Sequence, residues 1–217
     1  MTRVLKSMSQ LPQDQDGAVT SAVIFLHGYG ANGADLMGLA EVLADHMPGT
    51  LFLAPDAPET TVMAPMGLQW FPIPWIDGST EEDAANGLQA ASEDLNAYLD
   101  GVMVDYDLLP EQVVIFGFSQ GTMMALHVAP RREDPVAGVV AFSGRLLQAE
   151  ALQDDVQSKM PILLVHGDED EVVPIDASRL DNEALMFHND PINEGPVLDQ
   201  VATLNASAYA LVRRSTV

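Results

Sequence analysis

Compact apolar runs alternate along this chain with stretches in which apolar residues recur at helical spacing. Ser21-Ala-Val-Ile-Phe-Leu26 is such a run, with β-branched and aromatic members, and it reads as a buried strand ending in His27-Gly28-Tyr29-Gly30. From Gly33 to Met47, Leu36, Leu39, Ala40 and Leu43 mark one helix face, and Pro48-Gly49 stops it. Thr50-Leu-Phe-Leu53 is a second strand. Glu81 to Val104 predicts a long acidic helix carrying Leu88, Ala91, Leu95 and Leu99 on one side.

The alternation continues with strand Gln112–Phe116, helix Gln120–Ala129, strand Val136–Phe142, strand Pro161–Val165 and a helix over Asp176–Met186. Ala208–Arg213 has the composition of a late strand. Strands that alternate with helices predict an α/β fold, a mostly parallel sheet covered by helices on both faces. One stretch breaks the rhythm. Glu59 to Ser79 shows no periodicity, holds Pro65, Pro72 and Pro74, and carries Met66, Trp70, Phe71 and Trp75. A loop that long in a compact domain is commonly functional.

The length of 217 residues suits one α/β domain, 1–217, with an N-terminal segment over 1–20, and 47% hydrophobic residues supplies its core. No repeat or linker divides it. Cysteine is absent, which removes disulfides, a thiolate nucleophile and Cys-ligated metal. A formal charge of −23 repels nucleic-acid phosphates and anionic headgroups. No apolar run approaches the roughly 20 residues of a membrane span, and Met1 to Gly17 has no apolar stretch of signal-peptide length. The expectation is a soluble, cytoplasmic protein.

Chemistry concentrates in three motifs. Gly117-Phe118-Ser119-Gln120-Gly121 lies between a buried strand and a helix, the context of a nucleophile elbow that lifts a serine hydroxyl above the strand ends. His27-Gly28-Tyr29-Gly30 offers main-chain N–H groups that glycine lets approach a substrate; with Gln120, Tyr29 is the expected oxyanion donor, and His27 itself is read as structural. His166-Gly-Asp-Glu-Asp170 follows a late strand, where a hydrolase triad keeps its acid. Asp170 is the first choice and Asp168 the second.

Leu26-His-Gly-Tyr-Gly-Ala-Asn-Gly33, Ala54-Pro-Asp-Ala-Pro58, Gln69-Trp-Phe71, Gly117-Phe-Ser-Gln-Gly121, Phe142-Ser-Gly144 and His166-Gly-Asp-x-Asp-x-Val-Val-Pro174 together resemble the phospholipase/carboxylesterase family, which includes the acyl-protein thioesterases. The resemblance implies the α/β-hydrolase fold and a Ser-Asp-His enzyme, without metal or cofactor, acting on small carboxylic esters or acyl thioesters. It carries over Ser119 and Asp170 as triad members, and Tyr29 and Gln120 as oxyanion donors.

The resemblance breaks after about residue 178, leaving 181–217 atypical. Element lengths put a triad histidine about 25–35 residues beyond Asp170, near 195–205. The only histidine after residue 180 is His188, eighteen residues on. Three readings stand open: His188 on an irregular loop is the base, an altered C-terminal segment leaves the triad impaired, or a partner chain completes the site. Loss of the tail would also leave strand Ile162–Val165 as an exposed apolar edge. Met66, Trp70, Phe71 and Trp75 are the expected wall of an acyl pocket, with core anchoring as the alternative. Against the enzyme stand a hydrolase-fold binding protein without a competent histidine and an oligomeric scaffold; a homodimer is left open.

Overall fold

The computed structural model describes residues 2–13, 18–62, 64, 66–167 and 169–174, and the backbone of 200–203 and 208–213. Five strands run parallel: β2 (Ser21–Leu26), β3 (Thr50–Pro55), β6 (Val113–Phe118), β7 (Gly138–Phe142) and β8 (Ile162–Gly167). They are joined by β1 (Ser7–Gln10), β9 (Gln200–Thr203) and β10 (Ala208–Arg213) in the order β1-β3-β2-β6-β7-β8-β10-β9. β1 lies antiparallel to β3, and β10 antiparallel to β8. A separate short hairpin is made by β4 (Glu59–Thr60) and β5 (Leu68–Gln69).

The pleat sorts the strand residues between two layers. Val23, Phe25 and Phe52 face the side covered by α1 (Ala34–Leu43). Ile24, Leu26, Leu51 and Ile115 face the larger core beneath α3 (Glu81–Tyr106) and α4 (Gln120–Val128). Every residue of α4 is buried, as a helix sandwiched between sheet and α3 must be, and its sequence is apolar almost all round. α3 begins at a capping box in which Thr80 and Asp83 each satisfy the other's main-chain N–H. Two short helices, α2 (Pro74–Asp77) and α5 (Ala149–Asp155), and 3-10 turns at Ala44–His46, Pro110–Gln112 and Ala129–Arg131 are also described.

After β2 the chain turns to one side to make β3; after α3 it returns on the other side to make β6. The strand order reverses between β2 and β6, whose ends meet where Leu26 pairs with Gly117. Loops leaving neighbouring strands in opposite directions open a crevice there, the usual ligand site of an open α/β sheet. It lies where the two glycine motifs meet.

Three features add to the sequence reading. Residues 7–10 form a strand on the β3 edge, although short polar Ser-Met-Ser-Gln gives no pattern to read. The irregular 59–79 stretch contains the β4–β5 hairpin and α2. Finally, Ala208–Arg213, read as a late strand, is β10, and it covers the β8 edge from Ala208↔Gly167 to Arg213↔Ile162. The helix expected over Asp176–Met186 lies outside the described residues. Among the described residues, no helix is long and apolar enough to cross a membrane.

Candidate active site

Ser119 sits on the turn from β6 into α4 with φ 52° and ψ −115°, a backbone conformation in which a residue with a side chain is strained. Its N–H donates to Phe142 O at 2.9 Å, which ties the strained residue to the neighbouring strand. The turn closes only because its flanks have no Cβ. One at Gly117 would stand 2.5 Å from Thr122 N and Cα, and one at Gly121 would overlap the Leu26 carbonyl. The serine side chain is therefore presented, partly exposed, at the carboxyl end of the sheet.

The loop after β2 lies directly against it. A Cβ placed on Gly28 would be 3.2 Å from Ser119 Cβ and 3.3 Å from the Phe118 ring. The Gln120 N–H opens α4 and has no intrahelical acceptor. Among the described residues, the Tyr29 N–H has no main-chain acceptor either. Two adjacent free donors beside a serine can receive an oxygen that gains negative charge.

His27 serves this loop as a brace. Its Nε2 accepts from Ala57 N at 2.9 Å and its Nδ1 lies 2.8 Å from Gly28 O, which fixes the neutral Nδ1–H tautomer. Burial pushes its pKa down, in keeping with a ring that stays neutral. Two further residues complete the brace. The Gln120 side-chain oxygen accepts from Trp70 N at 2.9 Å, its amide donates to Phe71 O at 2.7 Å, and the Trp70 indole donates to His27 O at 2.9 Å.

Trp70 is 0% exposed and Phe71 is buried, so both side chains belong to the core rather than to an open pocket wall. Their surroundings explain why: Trp70 is held by two hydrogen bonds, from its main-chain N–H to Gln120 and from its indole to His27 O, and the Phe71 carbonyl accepts a third from Gln120. Met66 and Trp75 are 86% and 67% exposed. Phe118, which was not singled out in the sequence, is half-exposed beside Ser119 and Gly28. Its signal was its place between a motif glycine and the serine, on a strand whose alternate residues point away from the core.

Asp170 closes a tight turn after β8. Its Oδ1 accepts from Val172 N and Val173 N, both at 2.9 Å, while Oδ2 stands 3.6 Å from His166 Nε2. That nitrogen donates to Val173 O at 2.6 Å, so His166 supports the turn. One carboxylate oxygen is committed to the main chain, and among the described residues the other accepts no main-chain bond. His46 is exposed, and His127 is buried in α4 with its pKa pushed down to about 4 by desolvation and by Arg131. His188 and Asp168 lie outside the described residues. Among the described residues, no three His, Asp or Glu side chains gather closely enough to hold a metal.

A sequence profile of the protein family described as phospholipase/carboxylesterase matches residues 12–196. Acyl-protein thioesterase 1 of Saccharomyces cerevisiae is 34% identical over 163 residues, covering 70% of this chain and 71% of that protein. Acyl-protein thioesterase 1 of Gibberella zeae is 27% identical over 179 residues, 76% of each chain. The crystal structure of esterase PE8 superposes with a TM-score of 0.80 at 35% identity, covering 86% of this chain and 85% of that one.

Proposed function

This chain belongs to the phospholipase/carboxylesterase family, a hydrolase family of the α/β-hydrolase fold, and we propose that it is a serine hydrolase of small carboxylic esters and acyl thioesters. One observation carries the reading. The strained Ser119 stands at the sheet's switch point with the Gly28–Tyr29 loop packed against it.

In this mechanism Ser119 Oγ attacks the acyl carbonyl as a histidine, His188, takes its proton. The carbonyl π electrons move onto oxygen, where the Tyr29 and Gln120 N–H groups receive them. Collapse of that intermediate breaks the bond to the alkoxide or thiolate leaving group, which takes the proton from the imidazolium. Water then attacks the acyl-enzyme by the same route, releasing the acid and restoring Ser119. Asp170, its Oδ1 locked by two amides, offers Oδ2 to orient the imidazole. Phe118, Met66 and Trp75 supply apolar contact at the mouth. The chemistry calls on no cofactor, one domain performs it, and a cysteine-free acidic chain suits the cytoplasm.

Hydrolysis of p-nitrophenyl butyrate and of a short acyl thioester by wild type, Ser119→Ala and His188→Ala tests the proposal. Both variants lose turnover if the assignment holds. Full activity in Ser119→Ala overturns the serine mechanism; full activity in His188→Ala removes that residue alone. A wild type no faster than buffer points to the hydrolase-fold binding protein instead.

A further inference from the structure

The segment 68–71 grips the loop after β2 on both sides of Tyr29. Upstream, the Trp70 indole donates to His27 O at 2.9 Å. Downstream, Gly30 N donates to Leu68 O at 2.8 Å and Leu68 N to Ala31 O at 2.9 Å. The same segment grips Gln120, whose side chain spans Trp70 N and Phe71 O at 2.9 and 2.7 Å. A glutamine in the first turn of a helix ordinarily points to water, yet this one is completely buried. The two residues read above as oxyanion donors thus share a single hydrogen-bonded template.

We infer that Trp70 and the Gln120 side chain are positioning residues that fix the separation of the Tyr29 and Gln120 N–H groups. Neither side chain touches the reacting carbonyl. Each acts through main chain: Trp70 through the His27 carbonyl two residues before Tyr29, Gln120 through its own backbone. A donor pair helps only when it is already placed where the oxyanion forms, because a shift of an ångström forfeits much of the gain. The template makes that placement rigid from inside the core, where no solvent competes for its bonds.

This inference rests on the serine-hydrolase reading, so its test keeps the two apart. Trp70→Phe keeps an aromatic ring but removes the five-membered ring with its N–H; Gln120→Met approximates the shape and deletes both bonds. Turnover of p-nitrophenyl butyrate and inhibition by an aryl trifluoromethyl ketone, whose adduct carries an oxyanion, are measured for both variants, wild type and Ser119→Ala. Circular dichroism checks folding. The expected result for folded Trp70→Phe is a kcat lower by about ten- to a hundredfold, KM within about threefold, and ketone affinity lost in parallel with kcat. A folded Trp70→Phe that keeps wild-type kcat, or loses it without losing ketone affinity, overturns the positioning role while Ser119→Ala remains inactive. Turnover that survives in Ser119→Ala, or a wild type that neither turns over nor binds the ketone, overturns the serine reading and this role together. If Gln120→Met does not fold, Trp70→Phe decides.

Discussion

Arg3 grips Asp94 with two groups: its Nε stands 2.6 Å from Oδ2, and its main-chain N–H donates to Oδ1 at 2.6 Å. Asp94 has only 3% of its side chain exposed, so this contact takes the place of water around its carboxylate. Arg3 Nη1 also meets Glu59 at 3.0 Å, which ties the segment before β1 to both α3 and the β4–β5 hairpin. Arg3→Ala strands the Asp94 charge. Because Arg3 is itself about a third exposed, and its main-chain bond survives, a loss of about 2 kcal/mol is expected. Urea unfolding of Arg3→Ala, Asp94→Asn and the double variant measures it, and coupling indistinguishable from zero would remove the contact as a stabilising element.

Glycines in this chain divide by what surrounds them. Gly121→Ala drives a Cβ into the Leu26 carbonyl and within 2.8 Å of His27 O, and should cost about 2–4 kcal/mol along with most activity. Gly38 in α1 and Gly101 in α3 have nothing within 4 Å of an added Cβ. Alanine at each should stabilise by roughly 0.5–1 kcal/mol through helix propensity alone. Thermal unfolding of the three single variants would show opposite signs.

Asp170→Asn keeps an oxygen able to cap Val172 and Val173, so the turn after β8 should survive with little change in melting temperature. The negative charge that steadies an imidazolium is gone. Turnover should drop by about a hundredfold or more, as it does when a triad acid is neutralised. An active Asp170→Asn would move the acid elsewhere, with Asp168 the next to substitute.

His127 lends the protein an acid sensitivity of its own. Desolvation and Arg131 hold its pKa down to about 4, against about 6.5 in an unfolded chain. The unfolded state therefore binds the extra proton first, and stability contributed by the neutral ring is lost as pH falls from about 6.5 towards 4. Between pH 7 and pH 5 the loss should be on the order of 1–2 kcal/mol larger in wild type than in His127→Leu. Equal slopes of unfolding free energy against pH in the two proteins would refute this.

The parallel core was legible because burial on both faces writes itself as uninterrupted runs, such as Ala22–Leu26. The elbow was legible because its sterics demand glycine at two fixed positions around Ser119. Trp70 and Gln120 were not, since their roles arise from bonds between residues fifty apart, which no local pattern encodes. An aromatic in a proline-rich loop looks the same whether it lines a cavity or bolts a core. β1 was hidden for a different reason: Ser7–Gln10 is mostly exposed, and its pairing with β3 rests on backbone bonds that any sequence can make.

The antiparallel pairing of β10 with β8 also governs how the chain must be born. β8 emerges from the ribosome about forty residues before the strand that covers its edge. Throughout that interval Ile162, Leu163, Leu164 and Val165 offer unpaired amides on an apolar strand, a ready template for a neighbouring nascent chain. The contact that seals them cannot form until the residues of β10 have been made. Crowded translation is therefore a setting in which this edge is open to association with a neighbouring chain, and slower synthesis lengthens that exposure.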